Sequence, residues 1–75
     1  METKIKEIIS TVLHIDSNDI GPDTNSESLS SWDSLNQIKI TILLEEEFNI
    51  DFEEEHLLRL SSFDNIVDVI KELKY

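Results

Sequence analysis

The tripeptide Asp33-Ser34-Leu35 places a hydroxyl beside a carboxylate, where a polar segment gives way to an apolar helical pattern. A serine there could be the nucleophile of a hydrolase or the acceptor of a covalent group. A hydrolase needs a base against the serine, an oxyanion hole and a substrate pocket. The only histidines are His14 and His56, both expected at the surface, and no glycines flank Ser34 as they do in a nucleophile elbow. We therefore expect no catalytic residue in this chain and favour Ser34 as an exposed attachment site.

The acidic segment from Asp16 to Glu27 has partial calcium-loop spacing. Asp16, Asn18, Gly21 and Glu27 fall at positions 1, 3, 6 and 12 of the EF-hand pattern. Ile20, at position 5, supplies no side-chain oxygen, and no helical pattern follows directly. The chain also lacks cysteine, which excludes disulfides and thiolate metal sites. We therefore predict no metal site.

Length and charge restrict the class of protein further. With 75 residues, the chain is expected to form one domain, residues 1–75, near the lower size limit for folding on a hydrophobic core alone. Seventeen acidic residues against six basic ones give a net charge of −11, which argues against binding nucleic acid or anionic membranes. No apolar run is long enough for a membrane span, and no signal peptide is evident. A cytoplasmic monomer is the expectation.

The negative charge is concentrated in the middle of the chain. Between Glu27 and Glu55 there are nine acidic residues and one basic residue, Lys39. Such a field speeds encounter with partners that carry basic surfaces and selects against other partners.

The apolar spacing predicts an all-α, four-helix bundle with three main helices, one short helix and a long first loop. The first helix should run from Thr3 to Leu13. A polar loop follows, which we expect Ile15, Ile20 and Leu29 to anchor. The second helix should begin at Asp33 or Ser34 and end at Phe48. A short third helix is predicted over Glu54–Leu60, with Leu57, Leu58 and Leu60 turned inward. Ser61 or Ser62 should cap the fourth helix, whose buried face is Phe63, Ile66, Val67, Ile70 and Leu73.

The second helix carries two apolar stripes on roughly opposite sides. One consists of Ile40, Leu44 and Phe48, widened by Leu43, and the other of Leu35, Ile38 and Ile42. A domain of this size can bury one such face well, so we expect the second stripe to be an exposed docking surface. Its acidic rim, Glu45, Glu46 and Glu47, suits an apolar groove with a basic border.

Together, Asp33-Ser34-Leu35 and the sequence "LEEEF" at Leu44 to Phe48 resemble the acyl carrier proteins, and the resemblance covers nearly the whole chain. It implies that Ser34 carries a 4′-phosphopantetheine arm, derived from coenzyme A, whose thiol holds acyl or aminoacyl groups as thioesters. Asp33 would help a phosphopantetheinyl transferase and its metal engage the serine, next to Leu35. The implied partner surface is Leu35, Ile38, Ile42, Glu45 and Glu46.

The resemblance also implies partners that use this surface: the transferase, a ligase or acyltransferase that acylates the thiol, and downstream acyl-using enzymes. Asn36 and Lys39 occupy positions that are often acidic in the family, and Trp32 occupies one that is often glycine. These departures favour a dedicated carrier over a general fatty-acid carrier. Trp32 could pack on the first loop or contact a partner. An unmodified adaptor that docks through the same helix is the alternative function.

Overall fold

A computed structural model describes the chain from Met1 to Tyr75 as four α-helices. They are α1 (Glu2–Leu13), α2 (Ser34–Phe48), α3 (Glu54–Leu57) and α4 (Phe63–Lys74), and a 3₁₀ turn at Ser17–Asp19 interrupts the first loop. There is no β-strand, so the predicted all-α class, with three main helices, a short one and a long first loop, is confirmed. None of the helices combines the length and the apolar character needed to cross a bilayer.

Local capping sets both ends of α2 and the start of α4. Asp33 is extended, and its Oδ1 accepts a hydrogen bond of 2.9 Å from the Asn36 N–H, which satisfies a free donor of the first turn. The helix ends at Asn49, whose φ of 54° lies in the left-handed region that asparagine tolerates. Ser62 caps α4 in the same way as Asp33 caps α2, as predicted.

The core is a single cluster of 16 buried apolar side chains drawn from α1, α2, α4 and the connecting segments. The predicted loop anchors behave as expected: Ile20 is buried, and the half-buried Ile15 and Leu29 pack against the cluster. On α4 the predicted buried face is confirmed except that Leu73 is half-buried and Val69, which was not predicted, is fully buried.

The third helix differs from its prediction. It is a single turn that ends at Leu57 instead of Leu60, and only Leu60 of the three leucines is buried. Leu57 is exposed, and Leu58 is 82% exposed. The buried side of this segment is instead Phe52, His56 and Leu60, spaced four residues apart, and this leaves Leu57 and Leu58 facing away from the core.

His56 is buried, so the prediction that both histidines lie at the surface is wrong for it and right only for His14. Its Nδ1 accepts a hydrogen bond of 3.0 Å from the Glu53 N–H, which is otherwise free at the start of α3. The centroids of the Phe52 and His56 rings are 6.5 Å apart, and the two ring planes are inclined at 60°. The cap therefore gives the buried Nδ1 a hydrogen-bond partner.

Candidate functional site

Ser34 is the first residue of α2, and its side chain is exposed. Asp33 caps the helix directly before it. The Asn36 Nδ2 donates a hydrogen bond of 2.7 Å to the main-chain oxygen of Ser31, which fixes the entering loop against the first turn. The hydroxyl of Ser34 therefore lies where the loop meets α2, at a junction that is fixed by the Asp33 cap and by the bond from Asn36 to Ser31.

No histidine is paired with this serine. His56 accepts from Glu53 through Nδ1, and its Nε2 lies 3.9 Å from a carboxylate oxygen of Glu55. His14 ends α1 in the left-handed region. The arrangement suits a hydroxyl that another protein acts on, and it lacks the base that a hydrolase holds against its nucleophile.

A surface cleft of about 410 Å³ opens beside Ser34. Its lining residues come from the first loop, the start of α2 and the loop before α4: Ser26, Trp32, Asp33, Ser34, Gln37 and Ser61. Two main-chain hydrogen bonds join the loops that form its far wall, from Ser26 N–H to the Ser61 oxygen at 2.8 Å and from Phe63 N–H to the Thr24 oxygen at 2.9 Å. The cleft is therefore bounded by segments that are fixed relative to one another.

Trp32 forms part of this cleft but is only 3% exposed. Its indole Nε1 donates a hydrogen bond of 2.6 Å to Gln37 Oε1. Of the two alternatives for Trp32, the burial of the ring supports packing on the first loop, and a contact with a partner stays a prediction. The ring belongs to the buried apolar cluster and is joined to the first turns of α2 by its bond to Gln37.

Gln37 is the residue of this site that the sequence argument missed. It lies three residues before Ile40 and seven before Leu44, so it occupies the core-facing side of α2. That spacing alone places Gln37 on the core-facing side, but the prediction of the buried face considered apolar residues only. Its Oε1 accepts from Trp32, whereas its Nε2 is buried without a hydrogen-bond partner.

The two apolar stripes of α2 are present as predicted. Ile40, Leu44 and Phe48 are buried, whereas Leu35, Ile38 and Ile42 are 62%, 58% and 49% exposed. Leu43 does not widen the buried stripe, since it is exposed as well.

The exposed apolar surface also continues onto α3. A groove of about 280 Å³ lies between the helices, lined by Gln37, Ile38, Thr41, Ile42 and Leu57. The sequence prediction missed this extension because it placed Leu57 and Leu58 in the core.

The acidic residues beside the stripe are not equivalent. Glu45 is half-buried, and its Oε2 accepts a hydrogen bond of 2.9 Å from the Phe52 N–H, so it holds the segment that leads to α3. Glu46 is exposed, and both carboxylates line a depression of about 300 Å³ together with Ile42. Glu46 is the more available of the two to a cationic partner group.

An ion pair between Arg59 and Glu72 lies on the exposed surface. The guanidinium donates two hydrogen bonds, of 3.1 and 2.6 Å, to the carboxylate. These bonds lower the pKa of Glu72 below its ordinary value and raise that of Arg59. Arg59 therefore pairs with Glu72 and does not pair with the acidic residues of α2.

No group of three or more histidine, aspartate or glutamate side chains is placed to hold a metal ion. In the segment with calcium-loop spacing, Asp16 instead accepts a hydrogen bond from the Asn18 N–H and caps the 3₁₀ turn.

Comparison with known proteins gives a consistent result. A family model described as "Phosphopantetheine attachment site" matches residues 3–70. An acyl carrier protein of Picosynechococcus sp. is 32% identical over 92% of this chain and 85% of its own length. Acyl carrier proteins of Petrotoga mobilis and Clostridium acetobutylicum are 30% and 34% identical, over 92% and 91% of this chain and 81% and 88% of their own lengths.

Proposed function

Because the chain belongs to the family of acyl carrier proteins, which hold a covalent 4′-phosphopantetheine, we propose that Ser34 is the residue that carries the arm. One observation carries this assignment: Ser34 is an exposed hydroxyl on the first residue of α2, between the capping Asp33 and the exposed apolar stripe. The cleft of about 410 Å³ beside it offers space and polar groups for such an arm. When attached, the arm supplies a thiol, which this chain lacks, and the thiol holds the acyl group as a thioester.

The group of this chain that reacts during loading is the hydroxyl of Ser34. Its Oγ forms the new phosphodiester bond to the phosphorus next to pantetheine in coenzyme A, and the bond to the adenosine-bearing phosphate breaks. The serine proton passes to a base on the transferase, since this chain holds none against Ser34. Asp33 has two roles here: its carboxylate caps α2 and so holds Ser34 in place, and it presents a negative charge to the transferase and its metal.

The exposed stripe of Leu35, Ile38 and Ile42 is the docking surface for the transferase and for the enzymes that add and use the acyl group. Glu46 contributes the more accessible acidic rim, and Glu45 contributes less because it holds Phe52. An apolar strip with an acidic border complements an apolar groove with a basic border. The chain itself catalyses no step.

The upper part of the docking surface is not acidic. Asn36 is engaged with the Ser31 main chain, and Lys39 is exposed with a positive charge. A partner that presents only basic groups would meet Lys39 unfavourably. This feature supports a dedicated carrier that works with its own ligase or acyltransferase and carries one acyl or aminoacyl group.

Intact-protein mass spectrometry tests the assignment. The protein is incubated with coenzyme A, Mg²⁺ and a broad-specificity phosphopantetheinyl transferase, and we expect the mass of one phosphopantetheine to be added. Ser34→Ala should gain nothing, whereas Ser30→Ala, a matched change at an exposed serine of the adjoining loop, should gain the full mass. Addition to Ser34→Ala would refute the assignment. A folded wild-type protein that several transferases leave unmodified would favour the adaptor function.

A further inference from the structure

Only one end of the Gln37 side-chain amide makes a hydrogen bond. Its Oε1 accepts the indole N–H of Trp32 at 2.6 Å, which holds the oxygen end of the amide. Its Nε2 is shielded from water and has no acceptor. A buried donor without a partner is costly to a protein, so a turn of the amide about the retained Oε1 bond that brings Nε2 to an acceptor in the cleft is favoured.

Gln37 also lies within reach of Ser34. The two residues are separated by three positions on α2, and side chains at that spacing are neighbours on one helix face, roughly 5–6 Å apart between their Cβ atoms. Both line the same cleft of about 410 Å³. A flexible group attached to the Ser34 Oγ can therefore turn back over Gln37 without leaving the cleft.

The lining of the cleft determines which chemistry it accepts. Of its six lining residues only Trp32 is hydrophobic, and the others present hydroxyl, carboxyl or amide groups. Burying a hydrocarbon chain against these groups would deprive them of hydrogen bonds to water. A chain with amide and hydroxyl groups can replace those bonds.

We propose that this cleft binds the amide-containing part of the attached arm, with Gln37 Nε2 donating to an arm amide carbonyl. The proposal rests on Ser34 as the attachment site and goes further, because it assigns to Gln37 and the cleft the role of positioning the arm. Trp32 holds the oxygen end of the Gln37 amide, and the Ser26–Ser61 hydrogen bond holds the opposite wall.

The groove lined by Ile38, Ile42 and Leu57 is the competing path for the arm. It also includes Gln37 but is mostly apolar. Gln37 lines both the cleft and the groove, so contacts of the arm with the other residues of each one discriminate between the two paths.

The experiment uses isotope-filtered NMR on the ¹³C,¹⁵N-labelled protein loaded with an unlabelled arm. The expected result is a set of cross-peaks from arm protons to Trp32 and Ser61, together with a shift of the Gln37 side-chain amide on loading. Cross-peaks only to Ile42 and Leu57, or arm resonances as narrow as those of free pantetheine with no cross-peaks, would overturn the proposal.

A matched pair of variants isolates the Gln37 donor. Gln37→Glu keeps the acceptor for Trp32 and removes the donor, and we expect it to lose the arm contacts at the cleft. Asn65→Asp makes the same amide-to-carboxylate change at an exposed residue of α4 outside the cleft lining, and it should keep them. Persistence of the contacts in Gln37→Glu would also overturn the proposal, and if that variant does not fold, the wild-type cross-peaks alone decide. The intact masses of the wild type and of Ser34→Ala show separately whether Ser34 was loaded, so failure of the attachment assignment is distinguished from failure of arm binding.

Discussion

Truncation of two isoleucines of α2 distinguishes the buried stripe from the stripe proposed to dock partners. Ile40 is 0% exposed and Ile42 is 49% exposed, although they lie two residues apart in one helix. Ile→Ala removes three carbons, worth about 2.4 kcal/mol at about 0.8 kcal/mol per buried carbon. At Ile40 a cavity adds to this, so we expect a loss of about 3–4 kcal/mol, within the range of about 2–5 kcal/mol for such changes. At Ile42 half of the side chain is already in water, so a loss of about 1 kcal/mol is expected.

Urea unfolding followed by circular dichroism measures both losses. The total stability of a domain of 75 residues is roughly 4–11 kcal/mol, so Ile40→Ala should be close to the limit of folding whereas Ile42→Ala should remain well folded. The melting temperature should fall by about 4–8 °C for Ile42→Ala and by at least about 12 °C for Ile40→Ala.

The rate of phosphopantetheine loading provides the second readout. Ile42→Ala should slow loading at subsaturating protein, because it removes apolar contact area from the proposed docking surface. Equal destabilisation by the two changes would show that Ile42 belongs to the core. An unchanged loading rate for Ile42→Ala would show that the stripe does not dock the transferase.

Three further predictions concern single interactions. Trp32→Phe removes the bond to Gln37 Oε1 and should lower the free energy of unfolding in urea by at least about 1 kcal/mol. In the wild type, Trp32 is the single tryptophan, and its fluorescence emission should shift to the red on unfolding. Asp33→Ala removes the helix cap and should cost about 0.5–2 kcal/mol, whereas Asp33→Asn should retain stability but load more slowly, because it caps without charge. Arg59 lowers the pKa of Glu72 below its ordinary value of 4.5, so the contribution of this pair is present above that pH and is lost as pH falls through the folded-state pKa. Glu72→Gln should therefore weaken the dependence of the free energy of unfolding on pH below about pH 4.5. An unchanged dependence would refute the contribution of the Arg59–Glu72 pair.

The bounds of the long helices could be predicted because their determinants are local. Asp33 and Ser62 cap α2 and α4 by accepting hydrogen bonds from residues three positions later. The apolar spacing within α2 likewise places Leu35 and Ile40 on different sides without reference to any other helix. A single turn such as α3 contains too few residues for periodicity to assign its faces, and the predictions for Leu57 and Leu58 failed for that reason.

The sequence by itself determined the all-α class, the position of Ser34 at the start of α2 and the existence of two apolar stripes. Only the tertiary structure decided that Trp32 is buried, that Gln37 is left with an unpaired donor and that His56 lies inside. Whether a polar or amphipathic side chain is buried depends on what covers it. The cleft beside Ser34 likewise takes its lining from separate segments, since Ser26 and Ser61 are distant from each other along the chain. Capping and periodicity act within one or two helical turns, whereas the cleft forms only when the first loop and the start of α4 meet.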